Sequence, residues 1–207
     1  MIPTARAVIP VVVLGLMLGG SAASGAEVTD PAGKQVEAFY ATLVDSMRNA
    51  KELGVEGRFK KLEPVVEATF DLPEMARLTV GPSWMSMAEP ERQDVVAAFR
   101  RMTIANYASS FDGYDGQKFE VDPNVMERNG DKIVRSAMNA PGKSPVQFVY
   151  RMHQAGGSWK ATDVFLNGAI SQVATRRSDF SSTLQSGGGK ALAAKVNTLA
   201  DNLMRGK

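Results

Sequence analysis

The chain has 207 residues, with 24 Lys and Arg against 22 Asp and Glu, one His and no Cys. A net charge of +2 gives no nucleic-acid footprint and no drive for general adsorption to anionic membranes, although a local basic patch is compatible with it. The missing cysteines exclude disulfides, thiol nucleophiles and a lipid-modified lipoprotein cysteine.

The first segment reads as an export signal. Arg6 makes a short positive start, and residues 7–20 (AVIPVVVLGLMLGG) form an apolar run too short to span a bilayer. Ser24-Gly25-Ala26 is the favoured cleavage site and Ser21-Ala22-Ala23 the second. These small residues speak against the alternative, an uncleaved anchor. The expected organisation is a signal peptide over residues 1–26 and one soluble periplasmic domain over residues 27–207. Removing 26 of the 207 residues leaves 181, enough for a sizeable core, and takes Arg6 with it, so the net charge falls to +1.

After a short lead, residues 34–53 read as an amphipathic helix, with Val36, Phe39, Tyr40, Leu43, Val44 and Met47 at helical spacing. Gly54 and Gly57 interrupt it. Residues 59–70 make a second helical piece, with Pro64 as a candidate restart. Asp71 is then an N-cap, with Pro73 in the first turn and Glu74 at the capping-box position. That short helix runs to about Val80 and stops at Gly81-Pro82. The longest helix is expected over residues 89–110, opened by Pro90. Val95, Val96, Phe99, Met102, Ile104, Tyr107 and Phe111 give it an apolar face wider than one narrow seam needs.

The period then changes from helical to alternating. Residues 117–122, 132–139, 146–154, 158–166 and 169–174 read as strands, and Asn129-Gly130, Pro141-Gly142, Gly156-Gly157 and Asn167-Gly168 fall between them. Such short loops imply an antiparallel meander. Within residues 158–166, strict alternation puts Trp159, Ala161, Asp163 and Phe165 on one face. Asn167-Gly168 is the strongest hairpin signal, because both residues tolerate positive φ. Helix returns over residues 175–185 and 190–204, broken at Gly187-Gly188-Gly189. The fold class is α+β, an antiparallel sheet meander with helices packed over one face.

The residues that carry chemistry do not assemble into a motif. His153 is the one histidine and alternates away from Phe148, Tyr150 and Met152, which reads as a partly exposed sheet residue. A zinc site would need carboxylates almost alone. There is no G-x-S-x-G elbow for a serine triad. The run Gly187 to Ala191 fails as a phosphate loop, since it lacks the first Gly and the Ser/Thr and follows helix rather than strand. No cofactor or metal is expected, and no enzyme activity. What remains is an apolar surplus around the sheet, including Phe119, Val121, Ile133, Phe148, Tyr150, Phe165 and eleven adaptable methionines. A filled core and a hollow one fit this pattern equally, because alternation says only which face is inside.

Two blocks carry a resemblance. One is residues 70–84 (FDLPEMARLTVGPSW) with Arg58 ahead of it. The other is residues 159–180 (WKATDVFLNGAISQVATRRSDF), preceded by Gln93, Phe99, Tyr107-Ala108 and Tyr150. In order and spacing they resemble the MlaC / toluene-tolerance family of periplasmic lipid-shuttle proteins, over nearly the whole chain from about Val36 to Leu203. Family members more often have Glu-Gly where Asn167-Gly168 stands. That departure, with residues 174–180 (ATRRSDF), points to the hopanoid-associated HpnM branch.

The resemblance implies an MlaC-like, NTF2-like sheet with helices folded over it around an apolar cavity. It implies a carrier of phospholipid or hopanoid between an inner-membrane lipid transporter and an outer-membrane lipoprotein complex. The expected tail-binding residues are Phe99, Met102, Tyr107, Ile133, Phe148, Tyr150 and Phe165. Arg135 and Arg151 are head-group candidates, and Arg176 and Arg177 partner-docking candidates. Two other classes stay open: a filled-core adaptor of a membrane transporter, and an enzyme acting on hopanoid precursors.

Overall fold

The computed structural model describes residues 27–206, so the expected signal peptide lies outside the described residues. Asp30 opens the first helix. Its side chain accepts from the Ala32 amide at 2.8 Å, and Pro31 occupies the first turn of α1 (Pro31–Arg48). The expected helix over residues 34–53 ends sooner, at Asn49, whose amide donates to the Asp45 carbonyl at 3.2 Å. The next helix, α2 (Ala50–Thr69), bends at Gly54, where φ is 59°. Pro64 lies inside α2 rather than restarting it.

Asp71 is the N-cap expected from sequence, but Glu74 does not close a capping box, since its carboxylate pairs with Arg77 and the Asp71 amide donates to the Ala161 carbonyl. The Asp71 carboxylate accepts from the Glu74 amide at 3.0 Å and starts α3 (Leu72–Val80), which Gly81 terminates at φ 69°. A 3₁₀ turn over Gly81–Ser86 leads to α4 (Glu89–Ser110), with the bounds expected from sequence.

Six strands follow: β1 (Lys118–Val121), β2 (Met126–Arg128), β3 (Asp131–Asn139), β4 (Val146–Ala155), β5 (Ser158–Leu166) and β6 (Ile170–Ser171). All pair antiparallel in the order β1-β3-β4-β5-β6, with β2 beside β1 on the same edge of β3. Short and exposed, β2 has no period-2 signature to announce it. Asn167 and Gly168 both take positive φ, 50° and 73°, so the β5–β6 turn is of type I′. The expected strand over residues 169–174 is cut to two residues. Ser171 accepts from the Ala174 amide at 3.0 Å and begins α5 (Gln172–Met204), so Gln172 to Ala174 are helical. The expected break within α5 falls at Gly188, with φ 63°.

One core fills the space between helices and sheet. Val36, Phe39 and Leu43 from α1, Leu62 and Val66 from α2, and Ile104 and Ala105 from α4 are fully buried, as are Val134 and Met152 on the sheet. No described helix is long and apolar enough to cross a membrane.

Candidate functional site

Helices and sheet do not close completely on one another. Between them lies a cavity of about 240 Å³. Its floor is Phe119 from β1, Phe148 and Tyr150 from β4, and Val164 and Leu166 from β5. Phe39, Tyr40 and Leu43 from α1, Phe70, Met75 from α3, and Phe99, Met102 and Tyr107 from α4 form the roof. Apart from tyrosine hydroxyls, the polar lining comes from two helices. Thr103, Asn106 and Ser110 share a stripe of α4 and are joined by Gln172 and Arg176 from the start of α5.

Aromatic packing fixes the walls. Phe39 meets the edges of Phe70 and Tyr107 at ring distances of 5.3 and 5.1 Å, and Tyr40 stacks on Phe119 at 4.5 Å. Phe70 is held in place from outside the cavity. It bridges to Ala161 in β5, and the next amide, Asp71 N–H, donates to the Ala161 carbonyl at 2.9 Å.

A buried hydroxyl cluster interrupts the apolar floor. The Tyr40 hydroxyl lies 2.6 Å from Ser136 Oγ and 2.7 Å from the Tyr150 hydroxyl. Burial pushes the Tyr40 phenol up to about 12, although both hydrogen bonds pull it down. Tyr107 and Tyr150 are pushed up as well, by burial first and by neighbouring phenols. The walls are thus neutral at physiological pH, and Arg176 is the one charged residue in the lining.

Of the seven expected tail-pocket residues, the structure gathers Phe99, Met102, Tyr107, Phe148 and Tyr150 around this cavity. Ile133 and Phe165 are corrections, for they lie on the outer face of the sheet. Ile133 stands opposite Arg151 while its neighbour Val134 stands opposite Tyr150 and points inward. In β5 a bulge defeats strict alternation. Met152 pairs with Ala161 but Arg151 pairs with Asp163, which leaves Thr162 as the extra residue. The inward set is therefore Ala161, Val164 and Leu166, and Asp163 and Phe165 turn outward.

The two head-group candidates are corrected as well. Arg135 and Arg151 are on the outer face, away from the cavity. Arg135 contacts Met126 Sδ at 3.3 Å, and Arg151 pairs with Asp131 at 2.6 Å. Arg177 serves the fold: its guanidinium donates to the Leu78 carbonyl in the last turn of α3, with Nε at 2.9 Å. Arg176, grouped with it as a docking candidate, lines the cavity instead. His153 is partly exposed, 2.7 Å from Asp71 Oδ2.

The sequence reading missed Phe39, Tyr40, Leu43, Phe70 and Met75 as cavity residues. The stripe at 39, 40, 43 and 47 did mark the buried face of α1, but periodicity carries no sign that this face meets a void. Two of the resemblance-bearing residues turn out to brace the site. Arg58, 7 % exposed, donates to the Ala108 carbonyl at 2.7 Å and the Ala50 carbonyl at 2.8 Å, tying α2 to the end of α4. Asp163 accepts from Ser171 Oγ at 2.5 Å and from the Val173 amide at 3.2 Å, which fixes the start of α5 against β5.

Comparison with known proteins agrees with this architecture. The phospholipid-binding protein from Ralstonia solanacearum, solved in complex with a phospholipid, superposes with a TM-score of 0.73. The match covers 84 % of this chain and 99 % of that one at 18 % identity, a likeness of fold. No curated protein matches the sequence. The family model described as MlaC protein matches residues 37–198, which span the helices, the whole sheet and the cavity between them. The chain belongs to the MlaC protein family.

Proposed function

We propose that this protein is a periplasmic lipid carrier that holds the apolar tails of a phospholipid or hopanoid between its helices and sheet. It moves them between an inner-membrane transporter and an outer-membrane complex. The observation that carries this reading is the cavity itself, with predominantly apolar walls and a few polar residues from α4 and the start of α5. Membership of the MlaC family supports it, as does a structural neighbour described as holding a phospholipid.

The physics favours burial without covalent chemistry. An acyl chain in water exposes apolar surface at about 25 cal/mol per Å², and a carrier removes that cost. Among the lining residues there is neither a carboxylate nor a histidine, so the geometry supports binding rather than acid–base catalysis. At about 240 Å³ the cavity is below the roughly 300–1,000 Å³ of usual small-molecule pockets, so loading requires it to widen. Met75 and Met102 are unbranched and re-pack readily. The bends at Gly54 and Gly188 interrupt the helical ladders of α2 and α5. Release needs a partner that prefers the empty form, since equal affinity for both forms shifts nothing.

Native mass spectrometry of the protein purified from its own envelope, with organic extraction, tests the reading. A stoichiometric lipid adduct is expected, and its mass names the cargo. A clean apo mass that persists after incubation with both lipid classes would refute the carrier and leave the adaptor.

A further inference from the structure

Arg176 stands out in the lining. It is the sole charged side chain there, among walls made almost wholly of aromatic and aliphatic groups. Its side chain is 34 % exposed, so it borders both cavity and solvent. Its nearest carboxylate, Asp179, is 3.7 Å away and half exposed, and among the described residues the guanidinium makes no hydrogen bond. Its five N–H donors are thus uncommitted, in contrast to Arg58, Arg177 and Arg151, each spent on a carbonyl or carboxylate. Gln172 lies one helical turn before it, and Asn106 from α4 is another polar residue of the lining.

The α5 terminus itself is already occupied. The Val173 amide donates to Asp163 and the Ala174 amide to Ser171 Oγ, so backbone groups there are not free for an anion. Negative charge at this side of the cavity would be met by the arginine fork instead, which matches a phosphate oxygen pair.

We infer that Arg176, with Gln172 one turn before it on α5, receives the phosphate of the cargo's head group and selects phosphate-bearing lipids over uncharged lipids of equal tail length. This rests on the carrier reading above and adds the head-group chemistry to it. It also reassigns the head-group role from the outer face of the sheet to the cavity lining.

The test is a binding series with two ligands sharing the same acyl chains, phosphatidylglycerol and diacylglycerol. It is run on the wild type, Arg176→Gln and Arg176→Lys. A charge-assisted pair predicts that wild type favours the phospholipid by about tenfold to a hundredfold. Arg176→Gln should lose most of that preference, read as the ratio of the two affinities, and Arg176→Lys should recover part of it. A preference unchanged in Arg176→Gln, or equal wild-type binding of both lipids, overturns the inference and leaves tail binding standing. Wild type that takes up neither lipid overturns the carrier reading and this inference together. Circular dichroism on each variant separates loss of preference from loss of fold.

Discussion

The Tyr40 hydroxyl lies 2.7 Å from the Tyr150 hydroxyl, across the interface between α1 and the inner face of β4. With Ser136 Oγ at 2.6 Å from Tyr40, the pair ties helix layer to sheet at the floor of the cavity. These are neutral hydroxyls in an apolar setting, and their worth depends on staying protonated.

Alkaline pH should expose that dependence. Folding raises the Tyr40 phenol from about 10 to about 12, so its contribution is fully present below pH 10. It is lost as pH rises through 12, because the unfolded chain releases the proton first. Tyr40 alone gives a slope of up to about 1.4 kcal/mol per pH unit in that window. Urea unfolding between pH 9 and about pH 12 should show a steep loss of stability. Tyr40→Phe should make it shallower by up to about 1.4 kcal/mol per pH unit, with the part due to Tyr107 and Tyr150 remaining, at a cost of about 1 kcal/mol at neutral pH. An equally steep fall in the variant would place the alkaline sensitivity elsewhere.

Arg58 is buried, and its recorded hydrogen bonds go to two carbonyls, those of Ala50 and Ala108. Arg58→Met keeps the apolar stem but strands both acceptors. The expected destabilisation is about 2–4 kcal/mol by denaturant titration. A loss below about 0.5 kcal/mol would show that water satisfies those carbonyls as well as the guanidinium does.

Asp163 should act through the start of α5. Asp163→Ala removes the acceptor for Ser171 Oγ and the Val173 amide, at an expected cost of about 1–2 kcal/mol. Hydrogen exchange should rise at residues 172–176 and stay unchanged at the buried end of α4. Uniform loss of protection throughout would mean that Asp163 supports global stability alone.

Facing on the sheet can be read by a paired substitution. Val164→Phe fills the cavity floor, and Phe165→Ser trims the opposite face. Lipid retention should fall about tenfold in the first, with stability changing by less than about 3 kcal/mol, and stay near wild type in the second. The reverse ranking would place the tail site on the outer face.

Local signals in the sequence were reliable where one residue type answers one backbone need. Asp71 with Pro73 and Glu74 gave the start of α3, Asn167-Gly168 gave the type I′ turn, and the glycine triplet gave the bend at Gly188. The face of β3 was not legible because its inner side carries Lys132 and Ser136. Lys132 is tolerated there by a 2.6 Å pair with Asp30 and by the Trp159 ring beneath its ammonium. Hydrophobicity therefore gave no parity, and Ile133 was assigned inward. The bulge at Thr162 cannot be inferred from alternation, since it is the departure from it. Nor does any pattern show that the space under α4 is partly hollow, because the same apolar residues would line a filled core.

The most direct test of tail burial is photo-crosslinking with a phospholipid carrying a diazirine near the end of one acyl chain, followed by peptide mapping. Labels should fall on Phe99, Met102, Tyr107, Phe148 or Tyr150, the walls of the cavity. Labels confined to Ile133, Phe165 or other outer-face residues, or no labelling of a folded and lipid-exposed protein, would contradict a carrier that holds its cargo between helices and sheet.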